Sequence, residues 1–164
     1  MTGRPSRSID ARLSRERRRL RAFRGLILSW FRSSGRDFPW RNPSVSRYAL
    51  VVSEILLQRT RAETVAGFFP RFVKRFPGWR QLALATEDEL RAFLEPIGLW
   101  RRRSTSLRAL AAEMRTRHGR FPSTREELES LPAVGQYVAS AAMVLCQGKR
   151  EPLLDVNMAR VLER

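Results

Sequence analysis

Apolar side chains recur along this chain at three- and four-residue intervals, and nowhere with the two-residue alternation of a half-buried strand. Leu20, Phe23, Ile27, Trp30 and Phe31 form one series, which predicts a helix from about residue 8 to residue 34, stopped by Gly35. Val65, Phe68, Phe69, Phe72 and Phe76 form another on a helix over 61–75, where Pro70 is expected to kink or split the element. Between them 47–59 reads as a helix, while Asp37 to Pro43 reads as a loop, because two prolines and the residues before them resist helix. Thr86 followed by Glu89 is a capping-box signal for a short helix ending before Pro96. Ile97 to Trp100 turns the chain into a long helix over 101–118, and Ser123 and Thr124 open a further short one. That helix ends at Leu131-Pro132-Ala133-Val134-Gly135, after which two helices are expected, over 136–146 and from 155 onward. The fold class is all-α.

Composition adds a partner. Thirty-two basic residues against 16 acidic ones give a net charge of +16. Such a balance points to a polyanion, most simply nucleic acid, although it also describes a solvated basic surface. All but two of those basic residues (Lys74 and Lys149) are arginine, and residues 1–24 carry nine of the arginines as a basic arm. A single cysteine, Cys146, excludes a disulfide framework and a thiolate metal site. No apolar stretch is long enough to span a bilayer, and the basic N-terminus has no apolar signal core.

Two carboxylates stand out chemically. Glu54 lies inside the apolar run Val51-Val52-Ser53-Glu54-Ile55-Leu56-Leu57, where a charge is costly unless paired or functional, so its pKa is expected to be raised. It either points to solvent or acts as an acid. Asp155 opens the last helical pattern and reads as its N-cap. A fixed carboxylate also suits a reaction that builds positive charge on a sugar ring. The tight turn at 131–135 directs backbone N–H groups and a helix N-terminus outward, where a phosphate can sit without any base being read.

The order Asp37-Phe38-Pro39-Trp40-Arg41, Ser53-Glu54-Ile55-Leu56-Leu57-Gln58-Arg59-Thr60, Ile97-Gly98-Leu99, Leu131-Pro132-Ala133-Val134-Gly135-Gln136-Tyr137, Leu154-Asp155-Val156-Asn157 resembles the helix-hairpin-helix (HhH-GPD) DNA glycosylases. The branch it looks most like holds the thymine–DNA mismatch and adenine glycosylases. The resemblance implies a two-lobed helical fold, with residues 1–24 as a basic arm and the start of the first helix and 25–164 as the glycosylase domain. Within that domain, 128–146 would form the hairpin and 147–164 the catalytic loop and last helix. Asp155 would be the catalytic aspartate, with Glu54 and Tyr137 lining the pocket for a base flipped out of the duplex. Gln58 or Arg59 would fill the gap it leaves. Leu131, Ala133, Val134, Gly135, Gln136 and Asn157 would meet the DNA. Ala133 stands where the family's first hairpin glycine is expected.

Members with lyase activity place a lysine where this chain has Tyr137, so a monofunctional enzyme that leaves an abasic site is implied. Arg59, Val156 and Trp100-Arg101 lean toward thymine or uracil opposite guanine. Adenine opposite guanine or oxidised guanine is the alternative, and a non-catalytic DNA-binding fragment a further one. Many relatives continue into a four-cysteine iron–sulfur domain whose cysteines are absent here, so the chain is expected to be truncated at its C-terminal part and to carry no cofactor or metal. The expected setting is a monomer on double-stranded DNA, away from membranes, in the cytoplasm at a bacterial or archaeal nucleoid.

Overall fold

Residues 7–164 are described in the structure, a computed structural model, with side chains from residue 9 onward. They divide into two units, Met1–Asp37 and Phe38–Arg164. The described part of the first is one helix, α1 (Arg7–Ser34). It ends where predicted, with the Gly35 N–H on the Phe31 carbonyl at 2.8 Å. Its apolar stripe is present but uncovered: Leu20, Phe23 and Trp30 are each more than 60% exposed.

The second unit holds α2 (Arg47–Leu57), α3 (Ala62–Arg75), α4 (Trp79–Leu84), α5 (Glu87–Leu94), α6 (Trp100–Thr116), α7 (Arg125–Glu129), α8 (Gln136–Gln147) and α9 (Val156–Leu162). Short 3₁₀ turns occupy Pro39–Arg41 and Glu95–Ile97. Among the described residues there is no strand, and no helix is long and apolar enough to cross a membrane.

The core is built around α2, α6 and α8. Ser46 caps α2 by accepting the Ala49 N–H at 3.2 Å, and the helix buries Val51, Val52, Ile55 and Leu56. α2 packs against α8, which turns the small residues Ala139, Ala141 and Ala142 inward and so admits close approach. α4 and α5 lie on α6, which buries Leu107, Leu110, Ala111 and Met114. The capping box at Thr86 forms as predicted, with Thr86 Oγ1 and Glu89 exchanging bonds with each other's backbone N–H.

Three elements depart from the pattern-based expectation. α3 runs through Pro70 without a break, because Pro70 is exposed while Phe68, Phe69 and Phe72 are buried. Each buried phenylalanine contributes about 1.5–3 kcal/mol, and the three together outweigh the ~3 kcal/mol a mid-helix proline costs. α4 carries no periodic signal of its own. Tertiary contacts make it: Trp79 and Leu82 are buried, and Trp79 meets Tyr48 edge-on at 4.7 Å. α2 stops at Leu57, not at 59, because Arg59 takes a left-handed φ of 59°.

Candidate active site

Three sequence-distant side chains converge on the α2–α8 pair. Glu54 lies on the third turn of α2, half-buried; Tyr137 lies in the first turn of α8; Asp155 is the N-cap of α9. The Tyr137 hydroxyl lies near enough to the Glu54 carboxylate for each to shift the other's ionisation. Burial pushes the Glu54 carboxyl above its ordinary range, and the nearby Tyr137 hydroxyl partly opposes that rise. Burial likewise pushes the Tyr137 hydroxyl up to about 12, reinforced by the nearby negative charges of Glu54 and Asp155. Tyr137 is therefore a neutral hydroxyl at any physiological pH, placed between two carboxyls of unlike environment. Asp155 is exposed, and its Oδ1 accepts the Met158 N–H at 2.8 Å, which fixes the carboxylate's direction.

The segment that delivers Asp155 is braced from α7. Arg125 donates to Glu151 at 2.6 Å, to Glu129 at 3.2 Å and to Ser140 Oγ at 3.1 Å. Gln147 Nε2 donates to the Pro122 carbonyl at 2.7 Å, and Lys149 Nζ to the Ser123 carbonyl. The residues leading from α8 to Asp155 are thus tied to those leading into α7.

The hairpin between α7 and α8 has the expected shape in spite of Ala133. The Val134 N–H bonds the Leu131 carbonyl at 3.1 Å, with Pro132 and Ala133 at the two central positions. Such a turn wants a positive φ at the second of them, normally from glycine. Ala133 supplies it with φ 63°. Leu131 and Val134 are buried and anchor the turn, whereas Gly135 and Gln136 are exposed. Gly135 has an extended backbone, and a Cβ there would meet nothing within 4 Å, so the face above the first turn of α8 is open. Gln58 and Arg59 are exposed at the end of α2, and Asn157 is exposed on α9.

Residues 52–164 match the HhH-GPD superfamily of base excision DNA repair proteins. The chain belongs to that superfamily. A thymine-DNA glycosylase of Aeropyrum pernix is 40% identical over 148 residues, which cover 89% of this chain and 66% of that protein. An adenine DNA glycosylase of Mycobacterium tuberculosis is 37% identical over 139 residues, 84% of this chain and 45% of that protein. The solved structure of a thermostable thymine-DNA glycosylase superposes with a TM-score of 0.81 at 32% identity, covering 88% of this chain and 66% of that one. This HhH-GPD chain thus spans about two thirds of the first relative's length and less than half of the second's.

Within the HhH-GPD chain, a four-cysteine iron–sulfur cluster finds no ligand set. Cys146 is the single cysteine, it is buried in α8, and the described residues hold no group of three His, Cys, Asp or Glu side chains able to bind a metal. One residue of the site region escaped the sequence reading. Arg103 of α6 is buried at 4% exposure beneath the turn that carries Gln58 and Arg59. Its signal was its register: it falls four residues before Leu107, on the apolar face of α6.

Proposed function

We propose that this chain is the catalytic part of a monofunctional DNA N-glycosylase, which flips a mispaired thymine or uracil opposite guanine and hydrolyses its bond to deoxyribose. The observation that carries the reading is the Glu54–Tyr137–Asp155 convergence beside an open hairpin in an HhH-GPD fold. Open N–H groups at the start of α8 hold the phosphate backbone. A mispaired base leaves its stack at lower cost than a paired one.

In the pocket, the two carboxyls have opposite tasks. Glu54, whose pKa burial raises, gives its proton to the departing base, which leaves with the electron pair of the C1′–N bond. Asp155, exposed at the start of α9, faces the positive charge left on the sugar and takes a proton from the water that attacks C1′. The products are a free base and an abasic site. Tyr137 has no amine, so no Schiff base forms at its position, and borohydride is expected to trap no protein–DNA adduct.

A second reading, release of adenine opposite guanine or oxidised guanine, draws on the 37% identity to an adenine glycosylase. One assay separates them: duplexes bearing a single G·T, G·U, A·G or A·oxidised-guanine pair, incubated with the protein and then with alkali. Scission at T or U supports the proposal, and scission at A replaces it with the second reading. Binding without scission of any duplex leaves a DNA-binding fragment and refutes both. In a cell the proposed substrate places the protein at the nucleoid.

A further inference from the structure

Arg103 is surrounded by five oxygen acceptors from two separate turns. Nη1 donates to the Ile97 carbonyl at 2.8 Å and the Gly98 carbonyl at 2.6 Å. Nη2 donates to the Leu56 carbonyl at 3.2 Å, the Gln58 carbonyl at 2.8 Å and Thr60 Oγ1 at 2.6 Å. None of the five is a carboxylate. A buried guanidinium held only by neutral oxygens is a poor device for stability, since an apolar side chain would fill the same space without desolvating a charge. What five directed bonds supply is geometry.

The two turns share a second property. Each exposes a non-glycine residue in the left-handed region: Arg59 with φ 59° and Leu99 with φ 54°. Such conformations are strained for a side chain with a Cβ and persist only where the surroundings over-determine them. Every peptide here is trans, so a carbonyl turned inward sends the N–H of the same peptide outward. With the Gln58 and Gly98 carbonyls on Arg103, the N–H groups of Arg59 and Leu99 face away from it, and neither has a backbone partner.

We propose that Arg103 is a positioning residue that joins the 58–60 and 97–99 turns into one rigid unit facing the DNA. It sets the register in which Gln58, Arg59 and Leu99, with their outward N–H groups, meet the duplex. This rests on the glycosylase reading for its DNA-facing part, and on the five bonds alone for the rigid unit. The base-flipping gap filler named in the sequence then does not act from a free loop: its position depends on a buried side chain of α6 that is 45 residues beyond Gln58 in the chain.

The test is Arg103→Lys in the full chain, since an ammonium keeps the charge but cannot reach both turns. Amide hydrogen exchange at Gln58 and Thr60 of the first turn and at Gly98 of the second, the amides that are bonded, is expected to accelerate together, with α8 unchanged. On a mismatched duplex, the single-turnover rate of base release is expected to fall on the order of 10²-fold, the scale of a 1 Å misplacement, while affinity for a matched duplex stays within about threefold. Acceleration confined to one turn, or a lowered melting temperature with an unchanged single-turnover rate, overturns the assignment. Should Arg103→Lys not fold, Thr60→Val touches only the first turn and is still expected to speed exchange at Gly98; no change there also overturns it. If the wild-type chain releases no base from any duplex, the glycosylase reading fails, and the paired exchange result still decides whether Arg103 couples the turns.

Discussion

Replacing Ala133 by glycine should stabilise the protein slightly, against the usual sense of that substitution. In the hairpin Ala133 sits at φ 63°, where its Cβ crowds the following carbonyl. That conformation costs an L-residue roughly 1–2 kcal/mol and glycine nothing. Two terms oppose the gain. The freer unfolded chain of the glycine variant costs about 0.4–1 kcal/mol. The methyl group, half-buried against the core, loses about half of the ~0.8 kcal/mol of a buried methylene. The balance favours glycine by about 0.4 kcal/mol. Ala66→Gly in the interior of α3 is the control, half-buried but helical, and should cost about 1 kcal/mol. Urea unfolding with a common m-value separates the two variants by roughly 1.5 kcal/mol. Duplex affinity at fixed salt should not fall, since the turn keeps its shape. An Ala133→Gly loss as large as that of Ala66→Gly would refute the claim that the left-handed backbone is a strain imposed on alanine.

Asp155→Asn keeps an N-cap for α9, so thermal stability should move by less than about 0.5 kcal/mol, while base release falls by at least ~10²-fold; equal losses in both would mean that capping is the residue's whole role. Glu54→Gln removes a carboxyl whose folded pKa is raised by burial above the ordinary 4.5. The Glu54 contribution to wild-type stability is then full below pH 4.5 and lost as pH rises through the raised value, a fall the variant lacks, so the variant should be the more stable protein at neutral pH and the less active by about 10²-fold or more. Urea midpoints across pH 4–8 check the first half, and an unchanged wild-type profile over that window would contradict it. Tyr137→Phe removes the hydroxyl that holds the Glu54 pKa down, so the alkaline limb of the pH–rate profile should move to higher pH; movement to lower pH would reverse the assigned donor.

The helical frame was legible because α2, α3, α6 and α8 each bury one face with a 3.6-residue period and α2, α5, α7 and α9 open on a side-chain cap the sequence shows, such as Thr86 with Glu89 and Asp155 itself. α4 was not, since its six residues are helical only through what Trp79 touches. Asp155 and Glu54 were readable as chemistry because each breaks its surroundings: a charge in an apolar run, a cap after a loop. Their convergence with Tyr137 depends on α2 lying against α8, which no local pattern states. Ala133 misled in the other direction, since a missing glycine suggests a different turn, yet the buried neighbours Leu131 and Val134 force alanine into the same backbone. Arg103 went unread because one arginine among so many looks like surface charge until its acceptors are seen.

Asp155 joins two events that most enzymes keep apart. Its carboxylate points in a fixed direction only while it holds the Met158 N–H, that is, only while the first turn of a seven-residue helix is formed. Short helices fray at free energies far below that of global unfolding. On the role proposed for Asp155, the fraction of molecules ready to react is then the fraction with the first turn of α9 wound, which declines on warming while α2, α6 and α8 are still intact. The thermal optimum for base release is on that proposal set by local melting of α9 and lies below the temperature at which the core gives way.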